Sequence, residues 1–168
     1  TAISTAYTLR LLDINTAPEN FTLANVVQNI AENTATPNRI RIDAFAVTDD
    51  AAGPNTFSLA GPDAQYFEVD DGGLWLKQGV LLDYEQQAAY DVTVTVVDNA
   101  IAGMQPLTAD YQLVIHDVNE SPSAFGLTNI ATTNLLENTD ISEPLRLADL
   151  QLSDDATGTN RTWLVGDD

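Results

Sequence analysis

Two segments in the middle of the chain alternate strictly between apolar and polar residues. The segment YDVTVTVVD, residues 90–98, and the segment LTADYQLVIHD, residues 107–117, are both rich in β-branched and aromatic residues. The positions of the apolar parity are Tyr90, Val92, Val94, Val96, Leu107, Ala109, Tyr111, Leu113 and Ile115. This period of two predicts two half-buried strands, and the loop-forming residues between them predict a hairpin.

A third apolar segment keeps this period but changes face partway along. Ile40 and Ile42 share one parity, whereas Phe45 and Val47 share the other. The same slip recurs later, at Leu145 and Leu147 followed by Leu150 and Leu152. One extra residue that reverses the exposed face is typical of a β-bulge. We therefore predict a bulge at both places.

The remaining pattern also favours strands over helices. No segment sustains an apolar period of 3.6 residues, although residues 61–67, GPDAQYF, are compatible with one helical turn. About seven short strands in roughly a hundred residues are typical of a sandwich. The sequence thus predicts an all-β, antiparallel β-sandwich.

The chain contains an internal repeat of about a hundred residues, a period that indicates tandem domains rather than a solenoid. Residues 7–15, YTLRLLDIN, match residues 111–119, YQLVIHDVN, and further on VTDDAAGPN matches LSDDATGTN. We expect residues 1–15 to hold the last strand and linker of one repeat. We expect residues 16–118 to be a complete repeat and residues 119–168 the first half of the next, so that the chain begins and ends inside repeats.

Charge narrows the range of partners. The 168 residues include 6 Lys and Arg and 25 Asp and Glu, which gives a net charge of −19. Such a chain is repelled by nucleic acid phosphates and by anionic lipid, so we expect neither nucleic acid binding nor membrane insertion. The excess acid serves solubility, or it forms cation sites in which clustered carboxylates find their counter-charge.

The chain offers little for enzyme chemistry. It contains no cysteine, which excludes thiolate metal sites, disulfides and cysteine nucleophiles. Its single histidine, His116, matches Leu12 in the repeat, so the repeat does not require a histidine. Paired carboxylates can cleave glycosides, but we regard this as the weaker alternative and expect no enzyme.

The acids gather where the predicted strands end. Asp83 and Glu85 in LLDYE are two residues apart, so both side chains point the same way in an extended chain. Two such carboxylates repel each other unless a proton or a cation lies between them. Glu32 follows an apolar stretch, and Asp49 and Asp98 each close a strand. The alternative for a lone aspartate at such a position is turn capping.

Five motifs in this order resemble the cadherin repeat, and especially the cadherin-like repeats of large bacterial surface proteins. They are AENT, the LLDYE segment, VTVTVVDNA, the linkers DINTAP and DVNESP, and the block VTDDAAGPNTFSL with its copy LSDDATGTNRTWL. The resemblance covers the whole chain in repeat register. It implies a Greek-key, immunoglobulin-like β-sandwich in tandem array, with Ca²⁺ bound between consecutive repeats.

The resemblance also implies which residues hold the calcium. The complete repeat would supply Glu32, Asp83 and Glu85. The linker and the following repeat would supply Asp117, the Val118 carbonyl, Asn119, Glu120, Asp154 and Asn160. The preceding junction would use Asn15, Asp49, Asn55 and Asp98.

Three departures from the family pattern lower the expected number of ions. The second aspartate of the family's acidic block falls on Ala51 and Ala156, the linker is one residue shorter, and Thr16 replaces an acid. We therefore expect one or two ions per junction rather than three.

The leading hypothesis is a calcium-binding structural or adhesion module of a secreted, multidomain cell-surface protein. Its partners would be calcium ions and the neighbouring repeats of the same chain. The alternative is a module that recognises a glycan or another cadherin-like repeat. A weaker idea is that residues 1–12 donate a strand to a neighbouring chain. Because Trp75 and Trp163 lie in apolar strand contexts, we expect them in the core rather than as sugar-stacking platforms.

Overall fold

The computed structural model describes residues 3–24, 27–50, 53–70, 72–155, 158–163 and 165. The chain divides into two compact units: unit 1 is Thr1–His116 and unit 2 is Asp117–Asp168. The described strands of unit 1 are β1 (Asn20–Leu23), β2 (Asn29–Ala31), β3 (Ile40–Thr48), β4 (Asn55–Ala60), β5 (Phe67–Asp70), β6 (Gly73–Leu76), β7 (Ala89–Asp98) and β8 (Leu107–His116). Those of unit 2 are β9 (Ala124–Thr128) and β10 (Asp149–Ser153). A 3₁₀ turn at Ala64–Tyr66 lies within the segment predicted to hold one helical turn.

Unit 1 is a sandwich of two four-stranded sheets. One sheet has the order β1-β3-β6-β5 and the other the order β2-β8-β7-β4. The predicted hairpin is confirmed, because β7 and β8 pair antiparallel with Tyr90 opposite Leu113. The prediction of an antiparallel sandwich fails at one place, because β2 pairs parallel with β8. The chain crosses from one sheet to the other between β1 and β2, and β2, at three residues, is too short for its pattern to reveal this.

The core of unit 1 lies between the two sheets. The predicted apolar parity of β7 is buried throughout, and Val94 and Val96 are fully buried. Residues Tyr111, Leu113 and Ile115 of β8 are buried beside them. The facing sheet contributes the buried side chains of Phe21, Ile42, Phe67, Leu74 and Leu76. Aromatic rings join the two layers, since Phe67 meets Tyr111 edge to face at 6.0 Å between ring centroids.

The bulge predicted in unit 1 is confirmed. The register of β3 against β6 shifts between Arg41 and Asp43, and both Ile42 and Asp43 are buried. The Asp43 carboxylate oxygen Oδ1 accepts a hydrogen bond from the Ala24 amide at 2.9 Å. Asp43 therefore links the bulge to the segment by which the chain leaves β1.

The two tryptophans do not lie in the core, so that expectation is wrong. Leu74 and Leu76 point inward from β6, which directs Trp75 to the outer face of the sheet. The guanidinium carbon of Arg39 lies 4.2 Å from the centroid of the Trp75 ring. In unit 2, Trp163 is 79% exposed.

Unit 2 contains one antiparallel pair among its described residues, with Leu127 of β9 opposite Leu150 of β10. Its apolar side chains are exposed where their repeat counterparts are covered: Phe125 is 61% exposed, whereas Phe21 is 7% exposed. Leu145 and Leu147 precede β10 outside any strand, so the second bulge stays a prediction.

The predicted repeat boundaries are not tested by this division. Residues 3–19 form no strand, and a strand requires a neighbour for its amides and carbonyls. The assignment of residues 1–15 to the end of a preceding repeat, of residues 16–118 to a complete one and of residues 119–168 to the next therefore stays a prediction.

Candidate metal site

One group of oxygen donors in unit 1, the amino-terminal oxygen set, consists of Asn15, Asp49, Asn55 and Asp98. Asn55 begins β4 and pairs in register with Asp98, which ends β7, so the antiparallel ladder brings both to one end of the sheet. Asp49 directly follows the last residue of β3. The Nδ2 group of Asn15 donates to Asp98 Oδ2 at 2.7 Å, and that of Asn55 donates to Asp49 Oδ2 at 2.7 Å. All four residues predicted for the preceding junction thus pack together.

The amide oxygens of this set lack donors. Asn15 Oδ1 and Asn55 Oδ1 are both buried and have no hydrogen-bond partner among the described residues. A buried acceptor without a partner costs about 1–3 kcal/mol. Asp98 beside them is 1% exposed, and its Oδ1 accepts from the Ala100 amide at 2.8 Å. Carbonyl and carboxylate oxygens are the ligands that Ca²⁺ uses, so the residues present fit this ion.

A second group, the carboxylate triad, consists of Glu32, Asp83 and Glu85. Each contributes one oxygen, and these oxygens lie within 4.8 Å of one another. Glu32 is 4% exposed, Asp83 is half-buried and Glu85 is exposed. The prediction that Glu32 joins the Asp83 and Glu85 pair needed a contact across more than fifty residues, and the fold supplies it.

Backbone hydrogen bonds hold the triad in place. The Glu32 amide donates to the His116 carbonyl at 2.9 Å, and the Asn33 amide donates to the Leu82 carbonyl at 3.0 Å. Asn33 adopts the left-handed conformation with φ of 56°, which asparagine tolerates well. The Tyr84 amide donates to Glu32 Oε2 at 2.9 Å. The turn after β2 is thereby pinned to the LLDYE segment.

The two groups lie at opposite ends of unit 1. Asp98 ends β7, whereas Glu32 is bonded to His116, which ends β8, and these two strands run antiparallel. Each end of the sandwich therefore carries its own oxygen donors. This is the arrangement that a module with a junction at each end requires.

Unit 2 repeats the geometry of the amino-terminal oxygen set. Asn160 Nδ2 donates to Asp154 Oδ2, just as Asn55 donates to Asp49. The Oδ1 atom of Asp154 is buried and has no hydrogen-bond partner among the described residues. Asn119 lies beside Gly158, as Asn15 lies beside Gly53. The repeat that the sequence predicts is thus also a repeat of contacts.

The other predicted linker residues lie in unit 2 between β8 and β9. Asp117 and Val118 belong to this segment, in which Val118 is 42% exposed. The Glu120 amide donates to Asp155 Oδ2 at 2.8 Å, so Glu120 is held by its backbone. That Asp117, Val118 and Glu120 ligate a metal stays a prediction. Ala51 and Ala156, where the family's second aspartate would stand, lie outside the described residues.

Sequence reasoning missed the role of Asp50 and Asp155. Because neighbouring residues on a strand point to opposite faces, the apolar pattern gave no reason to expect Asp49 and Asp50 at the same end of the sheet. β3 ends at Thr48, so this alternation does not extend to Asp50. Asp50 Oδ2 accepts from the Thr16 amide at 2.6 Å and from the Thr16 hydroxyl at 2.8 Å. The apolar alternation ends at Val47, and this was the sequence signal that the strand stops before Asp50.

A tyrosine near the triad has a shifted pKa. Burial, followed by the neighbouring Tyr66, Asp63 and Asp83, raises the pKa of Tyr90 above its ordinary value. Tyr90 is 4% exposed, and its hydroxyl donates to the Leu81 carbonyl at 3.5 Å. Burial therefore disfavours the charged phenolate form of Tyr90.

Comparison with known proteins identifies this architecture. No family model matches the chain. A mouse protein, cadherin-related family member 2, is 34% identical over 129 residues, which are 74% of this chain and 9% of that protein. Human protocadherin Fat 4 is 32% identical over 156 residues, which are 89% of this chain and 3% of that protein. The chain belongs to the cadherin-like repeats.

Solved structures agree on the fold of these cadherin-like repeats. The structure of protocadherin gamma B2 extracellular cadherin domains 1–5 matches with a TM-score of 0.63 and 23% identity, over 85% of this chain and 27% of that one. The protocadherin gamma B4 extracellular domain matches with a TM-score of 0.57 and 21% identity, over 83% and 22%. The predicted all-β cadherin-like β-sandwich is thereby confirmed.

The chain spans about a tenth or less of the length of the two curated relatives named above. Among the residues that the structure describes, no helix has the length and apolar character that crossing a bilayer requires.

Proposed function

We propose that this chain is a calcium-binding structural and adhesion module of a multidomain extracellular protein, in which Ca²⁺ at the junctions between repeats stiffens the array. The observation that carries the proposal is the set of buried oxygens without hydrogen-bond donors. Asn15 Oδ1 and Asn55 Oδ1 in unit 1 and Asp154 Oδ1 in unit 2 have this property. Asn55 begins β4, Asp154 directly follows β10, and Asn15 packs against Asp98 at the end of β7. A divalent cation is a natural partner for such oxygens.

The residues that would hold calcium are assigned unit by unit. Unit 1 would use the carboxylate triad at one end and the amino-terminal oxygen set at the other. Unit 2 would use Asn119, Asp154 and Asn160, with Asp117, Glu120 and the Val118 carbonyl from the linker. Ca²⁺ takes about 6–8 oxygen ligands in irregular geometry, so a site shared by consecutive repeats suits it.

The stiffening has an electrostatic cause. Carboxylates held within 4.8 Å of one another, as in the triad, raise the free energy of the folded module through repulsion. A bound divalent cation cancels that repulsion and adds ligand bonds that constrain the linker. Affinity in extracellular modules of this kind is weak, with Kd about 10⁻⁴–10⁻³ M.

The proposal describes a non-enzymatic module at the cell surface. The similar proteins are cadherin-related proteins and protocadherins by name. The alternative of glycan recognition gains no support at Trp75, because the Arg39 guanidinium lies over its ring. The outer face of this tryptophan is therefore not a bare stacking platform.

Small-angle X-ray scattering of the chain in calcium and in chelator tests the proposal. We expect calcium to change the maximum dimension and to narrow the distance distribution, because the linker becomes constrained. Asp83→Asn should reduce this response. The matched control is Asp110→Asn, which removes one charge from an exposed residue on β8. Identical profiles in calcium and chelator for the wild-type chain would refute the stiffening role.

A further inference from the structure

One hydrogen bond recurs at the same repeat position in both units. In unit 1, Asp50 Oδ2 accepts from the Thr16 amide at 2.6 Å. In unit 2, Asp155 Oδ2 accepts from the Glu120 amide at 2.8 Å. Thr16 and Glu120 each directly follow the linker asparagine, Asn15 or Asn119. The side chains of the donor residues differ, so the recurring feature is a bond between an aspartate and the linker backbone.

A glycine completes the arrangement in each unit. Gly53 has a φ of +111°, and a Cβ built on it would lie 2.9 Å from both terminal atoms of the Asn15 side chain. Gly158 has a φ of +89°, and a Cβ there would overlap Asn119 Oδ1. Real Cβ atoms do not approach so closely, and L side chains rarely adopt these φ values. The linker asparagine therefore occupies space that only glycine leaves open.

The end of β3 explains how two consecutive acids can serve this region. The strand ends at Thr48, and the Asp50 amide donates to Asp49 Oδ1 at 2.9 Å. The turn directs Asp49 to the Asn55 side chain and Asp50 to Thr16. Asp49 thus belongs to the amino-terminal oxygen set, while Asp50 contacts the linker backbone.

We infer that Asp50 and Asp155 are linker-positioning residues: each binds the amide that follows the junction asparagine and, with the adjacent glycine, fixes that asparagine before a cation arrives. We call this pair of contacts the linker clamp. Its purpose rests on the proposed calcium function, whereas its existence rests on the two hydrogen bonds. Charge-assisted bonds to backbone amides are stronger than neutral ones. Holding a ligand in its bound position lowers the ordering cost of binding.

Amide hydrogen exchange, followed by NMR on the full chain in chelator, tests the linker clamp directly. We expect the Thr16 and Glu120 amides to exchange at least about tenfold more slowly than their intrinsic rates. Asp50→Ala should return Thr16 to its intrinsic rate and leave Glu120 protected, and Asp155→Ala should do the reverse. Asp50→Asn should keep part of the Thr16 protection, because the amide oxygen can still accept.

Internal controls separate clamp loss from unfolding. The Glu19 amide donates to the Thr48 carbonyl at 2.9 Å, so it reports whether β1 and β3 stay paired in each variant. If Thr16 and Glu120 exchange at intrinsic rates in the wild-type chain, the linker clamp does not exist. This wild-type result decides the matter even if a variant fails to fold.

A calcium titration separates the linker clamp from the proposed function. We expect Asp50→Ala and Asp155→Ala to raise the half-saturating calcium concentration severalfold, and Asp155→Asn to restore most of the affinity. An unchanged half-saturation in both alanine variants would overturn the positioning role. If the wild-type chain binds no calcium while both amides stay protected, the proposed function fails and the linker clamp stands.

Discussion

Burial in the sandwich shifts the protonation equilibrium of a single residue, Tyr111. Its side chain is 5% exposed, and its hydroxyl donates to the Val27 carbonyl. Burial, followed by the charge of Asp43, raises the pKa of Tyr111 far above its ordinary value of 10.0. The folded chain thus holds the phenol proton more tightly than the unfolded chain does. The stability from this tyrosine is complete below about pH 10 and is lost as the pH rises towards its folded pKa.

Urea unfolding from about pH 8 to about pH 11 checks this expectation. Above about pH 10, the Tyr111 phenol should contribute a loss of about 1.4 kcal/mol of unfolding free energy per pH unit. Tyr111→Phe should remove that contribution and shift the neutral-pH value by about 1 kcal/mol for the lost hydrogen bond. Tyr7→Phe is the control, because Tyr7 is 85% exposed. Equal slopes for wild type and Tyr111→Phe would contradict the assignment.

At the residue scale, the sequence predicted which oxygen donors lie together better than it predicted where their side chains point. Asn15, Asp49, Asn55 and Asp98 do come together, since the last three lie at or next to strand ends and Asn15 donates to Asp98. The contacts of Asp50 were not predictable because its side-chain direction depends on where β3 stops, and an apolar pattern does not define that limit to one residue. Whether a buried amide oxygen finds a hydrogen-bond donor depends on three-dimensional packing, which a single sequence does not reveal.

At the element scale, β7 shows how closely a strict alternation determines burial. Val94 is fully buried, whereas Thr95, the next residue, is half-buried on the opposite face. We expect Val94→Ala to lower the free energy of unfolding by about 2–3 kcal/mol, from lost burial and a residual cavity. Thr95→Ala should change it by less than about 1 kcal/mol. Thermal or urea unfolding measures both, and comparable losses would show that the alternation does not define the core.

Other elements were less accessible to prediction. The bulge in β3 was predictable because the two apolar residues before it and the two after it have opposite parity. The parallel pairing of β2 was not predictable, because a strand of three residues is too short to show a period. Trp75 was assigned to the core from its apolar neighbours. Its parity relative to Leu74 and Leu76 places it outside, where Arg39 covers it. Parity is therefore a better guide than local hydropathy in β6.

At the scale of the whole molecule, the internal repeat is the most informative feature of the sequence. It predicts a tandem array, and the matching contacts of Asp49 with Asn55 and of Asp154 with Asn160 repeat that register in three dimensions. Among the acids that contribute to the net charge of −19, Asp49 and Asp154 directly follow strands, and the Oδ1 atom of Asp154 is buried without a hydrogen-bond partner among the described residues. The number of ions per junction depends on ligand geometry across repeats, which sequence patterns do not determine.

Equilibrium dialysis in millimolar calcium, followed by metal analysis of the protein, tests the central claim most directly. We expect the chain to retain about one or two calcium ions above the bath level. Asp83→Ala should lose most of this calcium because it removes one member of the carboxylate triad, while Asp110→Asn should retain it. The account would be contradicted if the wild-type protein solution held no more calcium than the bath and did not differ in this from the Asp83→Ala solution.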